Sequence, residues 1–114
     1  MINLAEQSTK PYPRRAIADV IALVSREKNV PQRLIRHRSR CRVGASQARH
    51  LAMYLSYVVL GRTFVEIGNA FGRDRTTVSY ACGQIEDQRD DPIFDAEVSR
   101  LENCLITEEE NAHG

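Results

Sequence analysis

The segment EIGNAFGRDRTTV, residues 66–78, constrains the fold of this chain more than any other feature. Its first half has the composition of a short helix, Gly72 suits a tight turn, and a second helix is expected to begin at Asp74 or Arg73. Two helices joined by a short glycine-containing turn form a helix-turn-helix. The segment therefore predicts this motif, and the rest of the chain must supply the core beneath it.

Local signals on both sides of the turn support this prediction. Thr63 and Glu66 form the T-x-x-E pattern of a capping box, so the first motif helix is expected to begin there and to end near residues 71–72. The second helix has apolar residues at i, i+3, i+4 and i+7, the spacing of an inward face. These inward residues are Val78, Ala81, Cys82 and Ile85. The same spacing leaves Arg75, Thr76 and Ser79 pointing outward.

Helices are also predicted on the N-terminal side of the motif. Apolar spacing predicts a first helix over about 13–27, and Pro31 opens a short helical turn through Ile35. Ser46 is the expected N-cap of a central core helix, and Gly61 is its expected left-handed stop. The predicted inward residues of this core helix are Ala48, Leu51, Ala52, Leu55, Val58 and Val59.

A last helix is expected from the N-cap and proline pair at 91–92 to about Leu105. Its predicted inward residues are Ile93, Phe94, Val98, Leu101 and Leu105. No alternating strand pattern is present in the sequence, so we expect an all-α fold of about five to six helices around the helix-turn-helix. The expected organisation is a disordered leader over 1–12, a helix-turn-helix domain over 13–105 and an acidic disordered tail over 106–114.

Composition excludes several classes of protein. The chain has 114 residues, of which 42% are apolar, and its three scattered cysteines form no CxxC pair or zinc set. No signal peptide or membrane-length apolar run is visible, so we expect a cytoplasmic, nucleoid-associated protein without membrane contact. No phosphate-binding glycine array and no catalytic grouping of histidine with a nucleophile are present. We therefore expect neither an enzyme nor a bound cofactor.

The net charge of +1 conceals a strong asymmetry along the chain. Residues 28–82 carry ten Lys or Arg against Glu66 and Asp74, whereas residues 86–114 carry ten acids against Arg89 and Arg100. This division favours a basic binding face beside an acidic C-terminal segment. The alternative is that the charges merely solvate a small domain.

The start of the second motif helix has side chains that suit duplex DNA. Arg73 and Arg75 can pair with the two acceptors of guanine, and Asp74 can accept from the amino group of cytosine. Thr76 and Thr77 can pack on a thymine methyl group or bind a phosphate. Alternatively, Asp74 is simply an N-cap and the threonines fill space.

A second basic element lies between the predicted turn and the core helix. It contains Arg36, His37, Arg38, Arg40 and Arg42 without interleaved aromatic residues, which argues against single-strand stacking. An arginine from such a loop can enter a narrow minor groove, where the negative potential is enhanced. The alternative is a solvated basic loop that binds polyanions weakly.

These blocks resemble the C-terminal DNA-binding domain of the bacterial replication initiator DnaA. The resemblance is densest in ARHLAMYL (48–55) and EIGNAFGRDRTTVSYAC (66–82), and it covers about 17–105. It implies a compact all-α fold of the Trp-repressor and DnaA type that binds a double-stranded DnaA box, close to TTATCCACA. By resemblance, Asp74, Arg75 and Thr76 would read bases in the major groove with Thr77 beside them. An arginine among Arg38, Arg40 and Arg42 would enter the minor groove, and Arg49, His50, Thr63 and Phe64 would hold phosphates.

The chain departs from the family pattern at several positions. The family usually has GGRDHTT at the turn, whereas this chain has a single Gly72 and Arg75. Arginine in place of histidine is expected to shift the preferred base toward guanine. Gly83 and Gln84 stand where the family often has basic residues, which should weaken phosphate binding. The ATPase and oligomerisation domains of an initiator are not expected in this chain.

The sequence favours a stand-alone, sequence-specific protein that binds double-stranded DNA and regulates transcription or replication initiation without ATPase activity. The alternative is a protein-interaction module that keeps the fold but binds a replication or transcription partner, through the acidic C-terminal segment, instead of DNA. The oligomeric state stays open, because no dimer stripe is visible in the sequence.

Overall fold

The computed structural model describes residues 16–36 and 43–113, with the side chains of 16–36 and 44–107. Within these residues the chain forms helices and no strand, as the sequence predicted. Their bounds are α1 (Ile17–Lys28), α2 (Gln32–Arg36), α3 (Val43–Val58), α4 (Phe64–Phe71), α5 (Arg75–Gln88) and α6 (Pro92–His113). Loops of a few residues join α3 to α4, α4 to α5 and α5 to α6. Helix α4 packs directly against both α3 and α5.

Helix α3 is the centre of the core, and α1, α2, α4 and α5 all pack against it. Its predicted inward residues from Ala48 to Leu55 are buried, and so are Met53 and Tyr54. Because neighbours surround it, even Ser56 is buried, and its hydroxyl donates to the Ala52 carbonyl at 2.8 Å. The prediction for Val58 was wrong, since this residue is 37% exposed. Val59 is buried as predicted, and Leu60, which was not predicted, is buried as well. Each large aliphatic side chain in this core contributes about 1.5–3 kcal/mol to folding.

Two predicted helix ends were wrong. Helix α3 begins at Val43, so Ser46 lies inside the helix instead of capping it. Ala45, in the first turn of α3, is buried, and alanine is the residue with the highest helix propensity. Helix α6 continues to His113, past the predicted end at Leu105 and through most of the predicted disordered tail over 106–114. No glycine or proline interrupts residues 93–113, and the glutamates there are good helix formers.

The N-terminal predictions are only partly within the described residues. The leader over 1–12 and the predicted helix start at residue 13 lie outside them. Helix α1 begins at Ile17, and the amide of Ala16 donates to the Asp19 carboxylate at 3.0 Å. Val20, Ile21, Leu23 and Val24 are its buried residues. The C-terminal stop is Asn29, which adopts a left-handed conformation with φ of 57°.

Helix α6 attaches to the rest of the core through part of its predicted face. Val98, Leu101 and Leu105 are buried and Phe94 is partly buried, but Ile93 is 81% exposed. The inward prediction for Ile93 was wrong, because one residue rotates the side chain by about 100° from Phe94. Ion pairs from Lys28 to Glu97 at 2.7 Å and from Arg100 to Glu27 at 3.1 Å join α6 to α1. None of the described helices is both long and apolar enough to span a membrane.

Candidate nucleic-acid interface

The predicted capping box sets the start of α4. The Glu66 amide donates to the Thr63 hydroxyl at 3.0 Å, and the Thr63 amide donates to the Glu66 carboxylate at 2.9 Å. These bonds satisfy two amides that an uncapped helix would leave to solvent. Phe64, the first residue of α4, is thereby fixed in place, and its ring lies 4.6 Å from that of Tyr57 at the end of α3.

The turn between α4 and α5 depends on two glycines, of which sequence reasoning found one. Gly72 has a φ of 68°, a conformation that favours glycine. Gly68 is buried in α4, and a Cβ at this position would lie 2.4 Å from the carbonyl oxygen of Arg73. The Arg73 amide donates to the Gly68 carbonyl at 2.8 Å. The two glycines together allow the turn to fold directly over α4, which sets the angle at which α5 leaves it.

Asp74 is the N-cap of α5, which was one of the two roles that the sequence suggested for it. Its carboxylate accepts from the Thr77 amide at 2.9 Å. This bond and one from the Thr77 side chain lower the pKa of Asp74. The side chain remains exposed, so an ionised carboxylate stands at the helix N-terminus while it caps. Capping therefore leaves Asp74 accessible to a ligand.

The outward face at the start of α5 gathers several of the predicted site residues. Val78, Ala81, Cys82 and Ile85 are buried on the inward face, whereas 75–77 and Ser79 are exposed. Arg75, Thr76, Ser79 and Phe64 line one shallow open depression, so the start of α4 and the start of α5 share a surface. Within the described residues, the Arg75 guanidinium makes no hydrogen bond or ion pair. Its charge is available to a ligand.

A second group forms where α3 meets α5. His50 is half-buried, and its ring meets the Tyr80 ring edge-on at 6.3 Å between centroids. Burial lowers the pKa of His50, and the charges of Arg49 and Arg73 lower it further. Tyr80 is 62% exposed and was not among the predicted site residues. Its position one turn after Thr76 on the outward face is the sequence signal that could have identified it.

Arg73 and Arg49 have structural partners that the sequence did not reveal. The Arg73 guanidinium donates to the Phe71 carbonyl at 2.6 Å. Arg49 is only 7% exposed, and it donates through Nε to the Ile35 carbonyl at 2.9 Å and through Nη2 to the Leu34 carbonyl at 2.7 Å. A helix leaves its last carbonyls without internal partners, so Arg49 stabilises the end of α2. The predicted phosphate contact of Arg49 stays a prediction.

The predicted minor-groove element cannot be placed in the same way. Arg38, Arg40 and Arg42 lie outside the described residues. The two ends of their segment are described: Arg36 ends α2, where Arg49 holds the preceding carbonyls, and Val43 begins α3.

Comparison with known families supports the helix-turn-helix directly. The sequence profile of the bacterial dnaA protein helix-turn-helix matches residues 17–85, which is more than half of the chain. The chain belongs to this family. It is a DNA-binding helix-turn-helix domain of the DnaA type, and the profile ends on Ile85, the last inward residue of α5. Helix α6 lies beyond the matched residues.

Relatives named chromosomal replication initiator protein DnaA share this DnaA-type region. The protein from Thermodesulfovibrio yellowstonii is 44% identical over 62 residues, which are 54% of this chain and 14% of the relative. The protein from Rhizobium johnstonii is 43% identical over 77 residues, 66% of this chain and 16% of the relative. The protein from Acinetobacter baumannii is 36% identical over 92 residues, 79% of this chain and 20% of the relative. The chain thus spans a small part of each relative's length.

Proposed function

We propose that this chain binds double-stranded DNA sequence-specifically at DnaA-box-like sites, and that it regulates replication initiation or transcription by occupying them. The observation that carries the proposal is the exposed surface at the start of α5. There Arg75, Thr76 and Ser79 lie beside Phe64, with the Asp74 carboxylate at the same helix end. Such N-terminal residues of a second motif helix are the ones that reach base edges when the helix enters the major groove.

The proposed roles divide between base reading and phosphate binding. Arg75, Asp74 and Thr76 would read bases, since their side chains are exposed on one helix end. Thr63, Thr77, Ser79 and His50 would bind phosphates on either side, and Arg38, Arg40 or Arg42 would reach the minor groove. Arg49 and Arg73 would mainly hold the backbone that presents these residues, because each donates to main-chain carbonyls.

Occupancy of a box requires no ATP hydrolysis by these residues. A bound chain would compete with an initiator or polymerase for the same duplex, or would mark the site for another protein. Strong specificity for one site would come from simultaneous contacts in the major and minor grooves. The proposal therefore depends on both the α5 surface and the basic segment before α3.

Fluorescence anisotropy with a duplex that carries TTATCCACA and a scrambled duplex tests the proposal over a salt series. We expect a preference of about tenfold or more for the box, which corresponds to about 1.4 kcal/mol. With about five phosphate contacts, the slope of log K against log salt should lie near −4.5. If both duplexes bind equally, with a steep dependence on salt, the chain binds DNA but the proposed specificity for the DnaA box is rejected. No binding to either duplex would reject the proposal.

A further inference from the structure

An apolar surface remains unexplained at the corner where α5 meets α6. Ile93 is 81% exposed there, and the neighbouring Phe94 is partly buried between two cavities. A single exposed isoleucine would be ordinary on a protein surface. Here it stands beside an aromatic side chain that lines openings on both sides. We call Asp87, Gln88, Asp90, Asp91, Ile93 and Phe94 the corner surface.

The first cavity is large enough to accept a side chain from another molecule. It has a volume of about 150 Å³ and lies between α1, α3, α5 and α6. Leu51, Ile85 and Phe94 form its apolar part, while Lys28, Gln47 and Gln88 line the rest. An apolar cavity of about 150 Å³ admits a group the size of benzene. The second, more open cavity shares Gln88 and Phe94 with the first and adds Asp87, Asp90 and Asp91.

The charges of the corner surface define what could bind there. Asp87 and Asp90 are exposed, and within the described residues neither forms an ion pair. The nearby cations are already neutralised, because Arg89 pairs with Asp95 and Glu102 and Lys28 pairs with Glu97 at 2.7 Å. The surface therefore presents negative charge around an apolar centre. DNA would be repelled, whereas a basic segment with an aromatic or large aliphatic side chain would be complementary in both respects.

The corner surface is remote from the proposed DNA-binding residues. Helix α5 has 14 residues, so Arg75 at its start and Gln88 at its end are separated by about 20 Å along the helix. A partner at the corner surface would leave the start of α5 open to duplex DNA. We propose that the corner surface docks a basic segment of a partner protein, whose aromatic or aliphatic side chain enters the cavity beside Phe94. The docking is independent of the proposed DNA recognition.

A defined peptide pair tests this inference with the full chain. The probe is a fluorescein-labelled peptide of about ten residues, rich in Lys and Arg with one central Phe, and its control has Ser in place of Phe. Anisotropy at about 50 and 150 mM salt should show the Phe peptide binding about tenfold more tightly than the Ser peptide. Backbone amide shifts in the bound state should concentrate at residues 85–94.

Variants of the chain locate the site. Ile93→Ser should weaken binding of the Phe peptide about fivefold. The double variant Asp87→Asn, Asp90→Asn should weaken binding of both peptides and reduce the dependence of binding on salt. Val65→Ser is the matched control, since Val65 is 54% exposed on α4, away from the corner. All variants should keep wild-type circular dichroism and wild-type affinity for the box duplex. Equal binding of the two peptides, equal effects of Ile93→Ser and Val65→Ser, or no binding at about 1 mM would each overturn the proposal.

Discussion

The two ends of α5 carry arginines in opposite situations. Arg75 at the start is exposed and has no ion pair among the described residues. Arg89, directly after the end, donates to the Asp95 carboxylate at 2.5 Å, to Glu102 at 2.9 Å, to the Ser99 hydroxyl at 2.9 Å and to the Tyr54 hydroxyl at 3.0 Å. One guanidinium is available to a ligand, and the other joins α5, α6 and α3.

The difference shows why charge alone does not define a binding face. Burial acts to lower the pKa of Arg89, but its bonds to Asp95, Glu102 and Tyr54 outweigh burial and raise it. A guanidinium held by so many acceptors has few donors left for phosphate. The basic face that the sequence predicted would therefore depend on arginines such as Arg75 and not on Arg89. Substitutions at the two ends should separate stability from DNA affinity.

The largest effect is expected from Arg89→Ala. The change leaves Asp95 and Glu102 close together without their shared cation, and it removes the bond to Tyr54. Breaking a partly buried network of this kind should cost about 3 kcal/mol. Thermal unfolding followed by circular dichroism should show a midpoint lower by about 10 °C or more. At a temperature where the variant is still folded, its affinity for the box duplex should equal that of the wild type.

Arg89→Lys is the informative companion, because it keeps the charge but not the planar set of donors. It should recover only part of the lost stability. If both variants unfold at the wild-type midpoint, the network contributes nothing and the contrast between the two ends of α5 fails.

Arg75→Ala should produce the next largest effect, and this effect should be on DNA affinity and not on stability. A lost base contact should weaken binding to the box duplex by about 30-fold, or about 2 kcal/mol. The unfolding midpoint should change little, since Arg75 makes no hydrogen bond or ion pair with the described residues and acts on the exposed Asp74 carboxylate through its charge alone. Anisotropy and thermal unfolding on the same preparation measure both. Arg100→Ala, an exposed α6 arginine paired with Glu27, is the matched control and should leave DNA binding intact.

Arg75→His sharpens this test, because the DnaA pattern that this sequence resembles has histidine at this position. If Arg75 reads a base, the histidine variant should change which duplex is preferred and should not simply lower affinity. If Arg75 binds only phosphate, the affinities for both duplexes should fall together, and the slope of log K against log salt should decrease in magnitude by about one.

The motif could be predicted from sequence because its signals are local. Thr63 with Glu66, Gly72, and Asp74 with Thr77 act within four residues of one another, and the structure has all of these features. Local hydrogen bonds depend on residue types at fixed spacing, so a single sequence is enough to infer them.

Features that depend on distant residues could not be inferred in this way. Arg49 meets carbonyls 14 and 15 positions earlier, and Arg89 meets Tyr54 across 35 positions. Before the fold is known, such arginines look the same as DNA-binding ones. The same reason explains the error at Ile93, since the face of α6 that packs inward depends on where α6 docks.

Asp74→Asn distinguishes the two interpretations of this residue. Asparagine is also a good N-cap, so stability at neutral pH should change little. Because the pKa of Asp74 is lower in the folded chain than its unfolded value near 3.8, the ionised carboxylate stabilises the fold at pH values above 3.8. This stability is lost as the pH falls through the lower folded pKa. The variant should therefore lose less stability on acidification than the wild type. If the carboxylate also reads cytosine, box affinity should fall several-fold; if it only caps, affinity should not fall.

The smallest effect concerns His50, and its sign follows from its surroundings. Burial and the charges of Arg49 and Arg73 lower its pKa, so the free domain holds it neutral at pH 7. As the pH falls below the ordinary histidine pKa of 6.5, the unfolded chain takes up a proton at His50 while the folded domain keeps the ring neutral. The fold is therefore fully stable above pH 6.5 and loses stability as the pH falls toward the lower folded pKa. A phosphate beside the ring would favour the proton again. DNA binding should then take up a proton, and box affinity should rise about two- to threefold as pH falls from about 7.5 to 5.5.

His50→Gln should remove this pH dependence, whereas His113→Gln at the C-terminal end of α6 should retain it. Anisotropy at constant ionic strength across the pH range measures the effect. If the wild-type affinity does not change with pH, His50 remains neutral in the complex. The contact between His50 on α3 and Tyr80 on α5 would then lie away from the phosphate backbone. The DNA-binding surface would then be confined to the start of α5, the first turn of α4 and the basic segment before α3.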